Sequence, residues 1–162
     1  MTTRRIAGCL ALLCALALAG CATPVPGPTA SASGHWFGRL SVRVDAEPVQ
    51  SFAAGFELVG DAAQGRLSLQ SPFGATLAEL TWSPQAARLQ AEGTQQSFAS
   101  LDALTRHVVG TELPIAGIFS WLRGEPADFS PWIADGQQRE SGRLIARRQF
   151  PLPVVEMRLI LE

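Results

Sequence analysis

From Trp36 onward, the chain is dominated by short runs in which apolar and polar residues alternate. Alternation with period two is typical of a strand buried on one face only, because successive side chains point to opposite faces of a sheet. The pattern therefore predicts an antiparallel sheet with one apolar face, which a second layer must cover. The apolar members of these runs are Leu40, Val42 and Val44; Phe52, Ala54, Phe56 and Leu58; Leu67 and Leu69; Ala78, Leu80 and Trp82; Ala87, Leu89 and Ala91.

Two short helices are predicted after these strands. Ser100 is a suitable N-cap for a helix over 101–109, and Gly110 stands where a helix commonly ends. A second helix is predicted over 114–123, ended by Gly124. Apolar residues occupy most sides of this second helix, so we expect it to be largely buried.

The strand pattern returns after the helices, weakly at 144–148 and clearly at 155–161. Residues 35–162 contain no internal repeat and no second linker, which predicts one domain. The predicted fold class is mainly β with α, an open or partly closed antiparallel sheet whose apolar face is covered by the short helices.

The N-terminus has the composition of a bacterial lipoprotein signal. Arg4 and Arg5 precede an apolar run of 12 residues, 6–17, which is too short to span a bilayer. Leu18-Ala19-Gly20-Cys21 then matches the lipobox, where a diacylglycerol is attached to the cysteine and the signal is cut just before it. The sequence predicts a signal peptide over 1–20 and lipidation of Cys21.

An ordinary secretory signal, cut near Ala19 or Ala22, is the alternative. Lipidation is favoured by the cysteine count, because Cys9 and Cys14 leave with the signal and Cys21 then has no disulfide partner. We expect Cys21 to carry a diacylglycerol and an N-acyl chain such as palmitate, and we expect no other cofactor. One acyl chain alone anchors a protein only weakly, whereas several hold it firmly.

Residues 21–34 are rich in Pro, Ser, Thr, Ala and Gly and are predicted to form a tether between lipid and domain. Without residues 1–20 the chain has 142 residues, and 11 Arg stand against 14 acidic residues, a net charge of −3 with no Lys. A weakly acidic body argues against binding to nucleic acid.

Motifs for catalysis or metal binding are missing from the sequence. It has neither a Gly-rich phosphate loop nor HExxH nor GxSxG, and His35 and His107 have no partner at metal-ligand spacing. We therefore predict a protein without enzymatic activity and without a metal site.

Three stretches together resemble the LolB family of outer-membrane lipoprotein-insertion proteins. They are Gly38-Arg39-Leu40-Ser41-Val42, Gly65-Arg66-Leu67-Ser68-Leu69-Gln70-Ser71-Pro72-Phe73-Gly74, and the segment from Leu113-Pro114 through Trp121-Leu122-Arg123-Gly124-Glu125-Pro126. The resemblance implies an incomplete antiparallel β-barrel, a half-barrel whose apolar concavity is covered by helices. It is weak after about Asp128, so we expect the last part of the sheet to be reduced.

The resemblance also implies a function. Such proteins accept acylated lipoproteins from the soluble periplasmic carrier LolA and insert them into the outer membrane. The implied partners are LolA, lipoprotein clients and outer-membrane phospholipid, and the implied state is a monomer facing the periplasm. Ala22, rather than Asp, follows the lipidated cysteine, which by the same resemblance favours the outer membrane.

The client's acyl chains need shelter from water, and a cavity on the apolar face of the sheet would provide it. The alternative is a closed core without a cavity, which periodicity allows equally. The residues expected to line the cavity are Leu40, Val42, Phe56, Leu58, Leu80 and Trp82 from the strands and Ile118, Phe119 and Leu122 from the helices.

Phe73, between Pro72 and Gly74, occupies the position of a protruding apolar residue in the family, thought to enter the membrane during insertion. The alternative is that Phe73 folds back onto the core. Two other functions stay open at this point: a lipoprotein that binds a free lipid or apolar ligand, and a structural accessory of an envelope assembly.

Overall fold

One antiparallel sheet of nine strands contains about half of residues 33–162, the part of the chain that the computed structural model describes. Two α-helices and a short 3-10 helix, Arg139–Ser141, complete it. The strands are β1 (Gly34–Val44), β2 (Gln50–Gly60), β3 (Gly65–Gln70), β4 (Thr76–Ser83), β5 (Ala86–Ala91), β6 (Thr94–Phe98), β7 (Trp132–Asp135), β8 (Arg143–Arg148) and β9 (Val155–Leu161), and the helices are α1 (Leu101–Val109) and α2 (Ile115–Arg123).

The strand order across the sheet is β6-β5-β4-β3-β2-β1-β9-β8-β7. The first six strands form consecutive hairpins, and the C-terminal strands return to pair with β1 on its free side. Within residues 33–162, β6 and β7 remain unpaired edges, so the sheet is open. This confirms the prediction of an incomplete antiparallel barrel, and the C-terminal part supplies three of its strands.

The connections β1–β2, β3–β4, β5–β6 and β8–β9 leave the sheet on one side, which we call the Phe73 rim; the opposite side is the Gly34 rim. The register places Gln70, the last residue of β3, level with Ile160 of β9. β9 begins five residues earlier, at Val155, so on the Phe73 rim it extends five residues beyond the end of β3. On the Gly34 rim, the β2–β3 hairpin is level with Gly34, whereas β9 ends at Leu161, four residues further along β1. Both rims are staggered the same way, as in barrels with tilted strands.

The alternating residues predicted to share the apolar face do face the core. Leu40, Val42 and Val44 are buried on β1, while Arg39 and Arg43 lie outside. The two helices lie over this concave face and cover it, as the amphipathic sheet requires.

The helices begin and end close to the predicted positions. The backbone N–H of Ala103 donates to Oγ of Ser100 at 3.1 Å and caps α1. α2 starts at Ile115, one residue later than predicted, and Gly110 and Gly124 end the two helices in the left-handed conformation. The predicted signal peptide, Cys21 and nearly all of the predicted tether lie outside the described residues.

Candidate functional site

A hollow of about 220 Å³ lies between α1 and the concave face of β1–β4. Eleven of its fourteen lining residues are apolar and none is charged. Phe52 and Val108 at its edge are partly exposed, at 39% and 41%, which marks the opening to solvent. The lining residues are Leu40, Val42, Val44, Gln50, Ser51, Phe52, Leu67, Leu69, Leu80, Thr105, Val108, Val109, Leu113 and Ile115.

Three of the nine residues predicted for an acyl-chain cavity line this hollow: Leu40, Val42 and Leu80. The structure places the other six in the closely packed core, away from the hollow. These are Phe56, Leu58, Trp82, Ile118, Phe119 and Leu122.

Aromatic side chains fill the half of the concave face that α2 covers. Phe119 is fully buried, with its ring centroid 5.6 Å from that of Trp36 and 6.2 Å from that of Trp82. Nε1 of Trp82 donates to the Asp61 carbonyl at 3.1 Å, so the indole is fixed as well as packed. The concave face is therefore divided into a filled half beneath α2 and a hollow half beneath α1.

Four of the hollow's eleven further lining residues were predicted from the sequence on the apolar faces of strands: Val44, Phe52, Leu67 and Leu69. Periodicity identifies the face of a strand but not which part of that face a helix fills. Which residues line a hollow is set by side-chain volumes that meet only in the folded chain.

A larger hollow, about 700 Å³, lies on the outward face of β1, β2 and β9. Its lining includes Arg39, Glu57, Arg158 and Glu162. Charged walls do not suit hydrocarbon, because burying charges without full compensation costs more than apolar contact returns. The hollow beneath α1 is therefore the better candidate for an acyl chain.

Phe73 projects from the β3–β4 turn and is 98% exposed. The N–H of Gly74 donates to the Ser71 carbonyl at 2.9 Å, and the N–H of Ala75 donates to Oγ of Ser71 at 3.2 Å. Pro72 at the second position suits such a four-residue turn, and Gly74 adopts φ 82°, a left-handed conformation that glycine tolerates. The turn holds Phe73 in water, and the ring does not fold back onto the core.

An ion pair between Arg123 and Glu125 lies at the C-terminus of α2. Nε and Nη2 of Arg123 donate to the two carboxylate oxygens of Glu125 at 2.6 and 2.9 Å. This bidentate bond lowers the pKa of the Glu125 carboxyl below its ordinary value. Because both side chains lie at the surface, the pair orders the end of the helix more than it stabilises the fold.

Comparison with known proteins identifies the family. The family model described as "Outer membrane lipoprotein LolB" matches residues 35–151. The chain belongs to the LolB family. Its relatives include the outer-membrane lipoprotein LolB of Bordetella petrii, 35% identical over 136 residues, which cover 80% of this chain and 68% of that protein.

Two further LolB proteins show a similar likeness. That of Cupriavidus pinatubonensis is 35% identical over 152 residues, covering 86% of this chain and 72% of the relative. That of Chromobacterium violaceum is 32% identical over 142 residues, covering 82% and 77%. The chain is thus an outer-membrane lipoprotein, as its sequence predicted.

Neither helix of residues 33–162 is long and apolar enough to cross a bilayer. Lipidation of Cys21, the role of Phe73 and the acyl-chain role of the hollow stay predictions.

Proposed function

We propose that this LolB protein accepts acylated lipoproteins from the soluble periplasmic carrier LolA and inserts them into the outer membrane. The observation that carries the proposal is the pairing of an uncharged apolar hollow beneath α1 with a fully exposed Phe73 on the β3–β4 turn. One feature suits shelter of an acyl chain and the other suits entry into a bilayer. The protein acts as a monomer without cofactor or catalysis, anchored by acyl chains on Cys21.

Shelter in the hollow is driven by removal of hydrocarbon from water, about 25 cal/mol per Å² of apolar area. A dry apolar cavity of ~150 Å³ accommodates benzene, so 220 Å³ accommodates part of one acyl chain. A triacylated client therefore requires α1 to move outward. Return of α1 toward the sheet would reduce the apolar contact available to the bound chains and favour their passage into the bilayer.

The decisive experiment is transfer of an acylated client from LolA to vesicles by the Phe73→Glu variant. Uptake of client should match wild type, because Phe73 lies outside the hollow. Insertion should fall at least about tenfold, because placing a carboxylate within the bilayer costs ~2.5 kcal/mol or more. Client recovered on the variant and client recovered in the vesicles are measured separately.

Phe73→Leu is the matched control and should insert clients as wild type does, because it retains an apolar tip. Equal insertion by wild type and Phe73→Glu would refute the role of Phe73. In cells, depletion of the protein should leave other outer-membrane lipoproteins in the periplasm bound to the carrier.

The small volume of the hollow also fits a second candidate, a lipoprotein that binds one free fatty acid or similar apolar ligand. Solvent extraction of the purified protein followed by mass analysis separates the two. A stoichiometric free lipid together with normal lipoprotein sorting after depletion would favour this second function.

A further inference from the structure

Phe150 and Leu152 are exposed to solvent on the β8–β9 connection, at 70% and 71%. Apolar side chains of this size are stabilised by burial, because their surface is removed from water. Two of them exposed on one loop therefore point to an interaction surface. The proposed uptake and insertion by the hollow and Phe73 use neither residue.

The structure holds this loop in place at its base. Nη2 of Arg148 donates to the Pro153 carbonyl at 3.3 Å, and the N–H of Asp45 donates to the Val154 carbonyl at 2.9 Å. Below these bonds, Nε of Arg147 contacts Oε2 of Glu156 at 2.5 Å across β8 and β9. Phe150 and Leu152 are therefore displayed by an ordered loop rather than by a frayed end.

The loop leaves the sheet on the Phe73 rim. β3 and β8 run in the same direction, since β3, β1 and β8 alternate with the antiparallel strands β2 and β9. The five-residue offset between their ends follows the stagger that both rims share. The exposed Phe73 and the exposed pair Phe150 and Leu152 thus belong to one rim.

The composition of the loop suits a bilayer better than a protein partner. Residues 149–154 contain no ionisable side chain, and Pro151 and Pro153 have no N–H that would need a partner in hydrocarbon. The exposed apolar groups are separate tips on a rim rather than one flat face. A lipoprotein of the outer membrane also has a bilayer always within reach.

We propose that Phe150 and Leu152 form a second membrane contact, which enters the bilayer together with Phe73. The inference rests on the proposed function for the entry of Phe73 and adds a second point of contact. Two contacts on one rim fix the orientation of the domain, so that the client's acyl chains leave the concave face at a fixed angle to the membrane.

For the test, a fluorescent probe is attached to the thiol that Leu152→Cys introduces into the mature, lipidated chain. That thiol is the only free one if Cys21 is acylated. Phe73→Cys places the probe at the first contact, and Ala62→Cys is the control. Ala62 is exposed on the β2–β3 hairpin, which lies on the Gly34 rim. The proteins are reconstituted in vesicles of phosphatidylethanolamine and phosphatidylglycerol.

Nitroxides on the lipid acyl chains should quench the probe at 152 severalfold more than the probe at 62, and aqueous iodide should show the reverse order. Equal quenching at 152 and 62 would overturn the proposal. Shielding of residue 152 only after the soluble carrier is added would overturn it too, because the loop would then be a protein-docking site.

Transfer of clients is measured on the same preparations and decides the proposed function separately. If the probe at 152 enters the bilayer while Phe73→Glu inserts clients normally, the membrane contact holds and the proposed function of Phe73 fails. Phe150→Glu with Leu152→Glu should remove the quenching at a probe on residue 73 in part, whereas Ala62→Glu should leave it unchanged.

Discussion

Val42 and Trp82 lie on the same apolar face of the sheet. The space between sheet and helix is open beside Val42 and filled beside Trp82. Val42 is buried at the wall of the hollow, where no aromatic residue of α1 approaches it. Trp82 meets Phe119 of α2, and the two rings occupy the volume between sheet and helix. The size of single side chains therefore decides which half of the concave face stays open.

Filling the hollow from its wall tests this directly. Val42→Phe should place a ring in existing space, so the free energy of unfolding should stay within about 1 kcal/mol of wild type. Saturable binding of a hydrophobic probe or acylated peptide should weaken at least about tenfold, because the apolar area it would cover is already buried. Calorimetric binding and denaturant unfolding give the two quantities.

Val59→Phe is the control for that experiment. Val59 is half-buried on β2. Its neighbour Leu58 is buried on the concave face, so Val59 faces the other side of the sheet and the added ring lies outside the hollow. Undiminished binding by Val42→Phe would show that the hollow beneath α1 is not the acyl-chain site.

The two helices differ in how firmly they are attached to the sheet. α1 buries Leu104 and Thr105, whereas α2 buries six residues, Phe119 and Trp121 among them. Oγ1 of Thr105 accepts the N–H of Leu113 at 3.3 Å, and Nη2 of Arg106 donates to Oε1 of Glu112 at the surface, so two polar contacts link α1 to the segment that follows. A nine-residue helix has little stability of its own, so α1 is the element that can move outward.

Hydrogen exchange of backbone amides should reveal this difference. Amides of α1 should exchange at least about tenfold faster than those of α2, since ~1.4 kcal/mol in the free energy of opening gives that factor. Addition of an acylated peptide should change exchange in α1 and leave α2 unaffected. Equal protection of the two helices, with and without peptide, would contradict an opening at α1.

At the scale of the whole molecule, the proposed shelter of acyl chains and the proposed membrane contact lie on different parts of one open sheet. Its concave face holds the hollow, and its Phe73 rim displays Phe73, Phe150 and Leu152. The domain begins at Gly34 on the opposite rim. For the Phe73 rim to meet the membrane that holds Cys21, the residues between Cys21 and Gly34 must be long enough to pass along the domain.

Covalent geometry allows this. The 13 residues from Cys21 to Gly34 reach at most about 45 Å, and the 11 residues of β1 span about 36 Å. Deletion of 23–30 leaves a reach of about 18 Å. We expect the shortened protein to take up clients normally and to insert them poorly into its own membrane.

A variant with 23–30 replaced by Gly and Ser of equal length should behave as wild type, because only length is required. Transfer into the vesicles that hold the protein is the measurement. Normal insertion by the shortened chain would mean that the rim need not reach that membrane.

The strands β1–β5 and both helices could be predicted from the sequence, because period two and helix caps are local signals, whereas the protrusion of Phe73 was expected only from the family resemblance. β6 was not predicted, since Thr94, Gln95, Gln96 and Ser97 are polar and the strand forms by pairing with β5 rather than by burying a face. Of the C-terminal strands, β9 was predicted clearly, β8 weakly and β7 not at all, and only pairing with β1 fixed the place of β9.

The sequence by itself determined the ranges of β1–β5 and of the helices and which face of each strand is apolar, because these follow from residue order along one element. Its motifs also indicated the family, and the incomplete barrel was expected from that resemblance. Only the tertiary structure decided that Phe119 and Trp82 close half of the concave face, that the hollow lies beneath α1, and that the loop of Phe150 and Leu152 shares a rim with Phe73. Those facts depend on side-chain volumes and strand pairing between residues far apart in the chain, which no local pattern encodes.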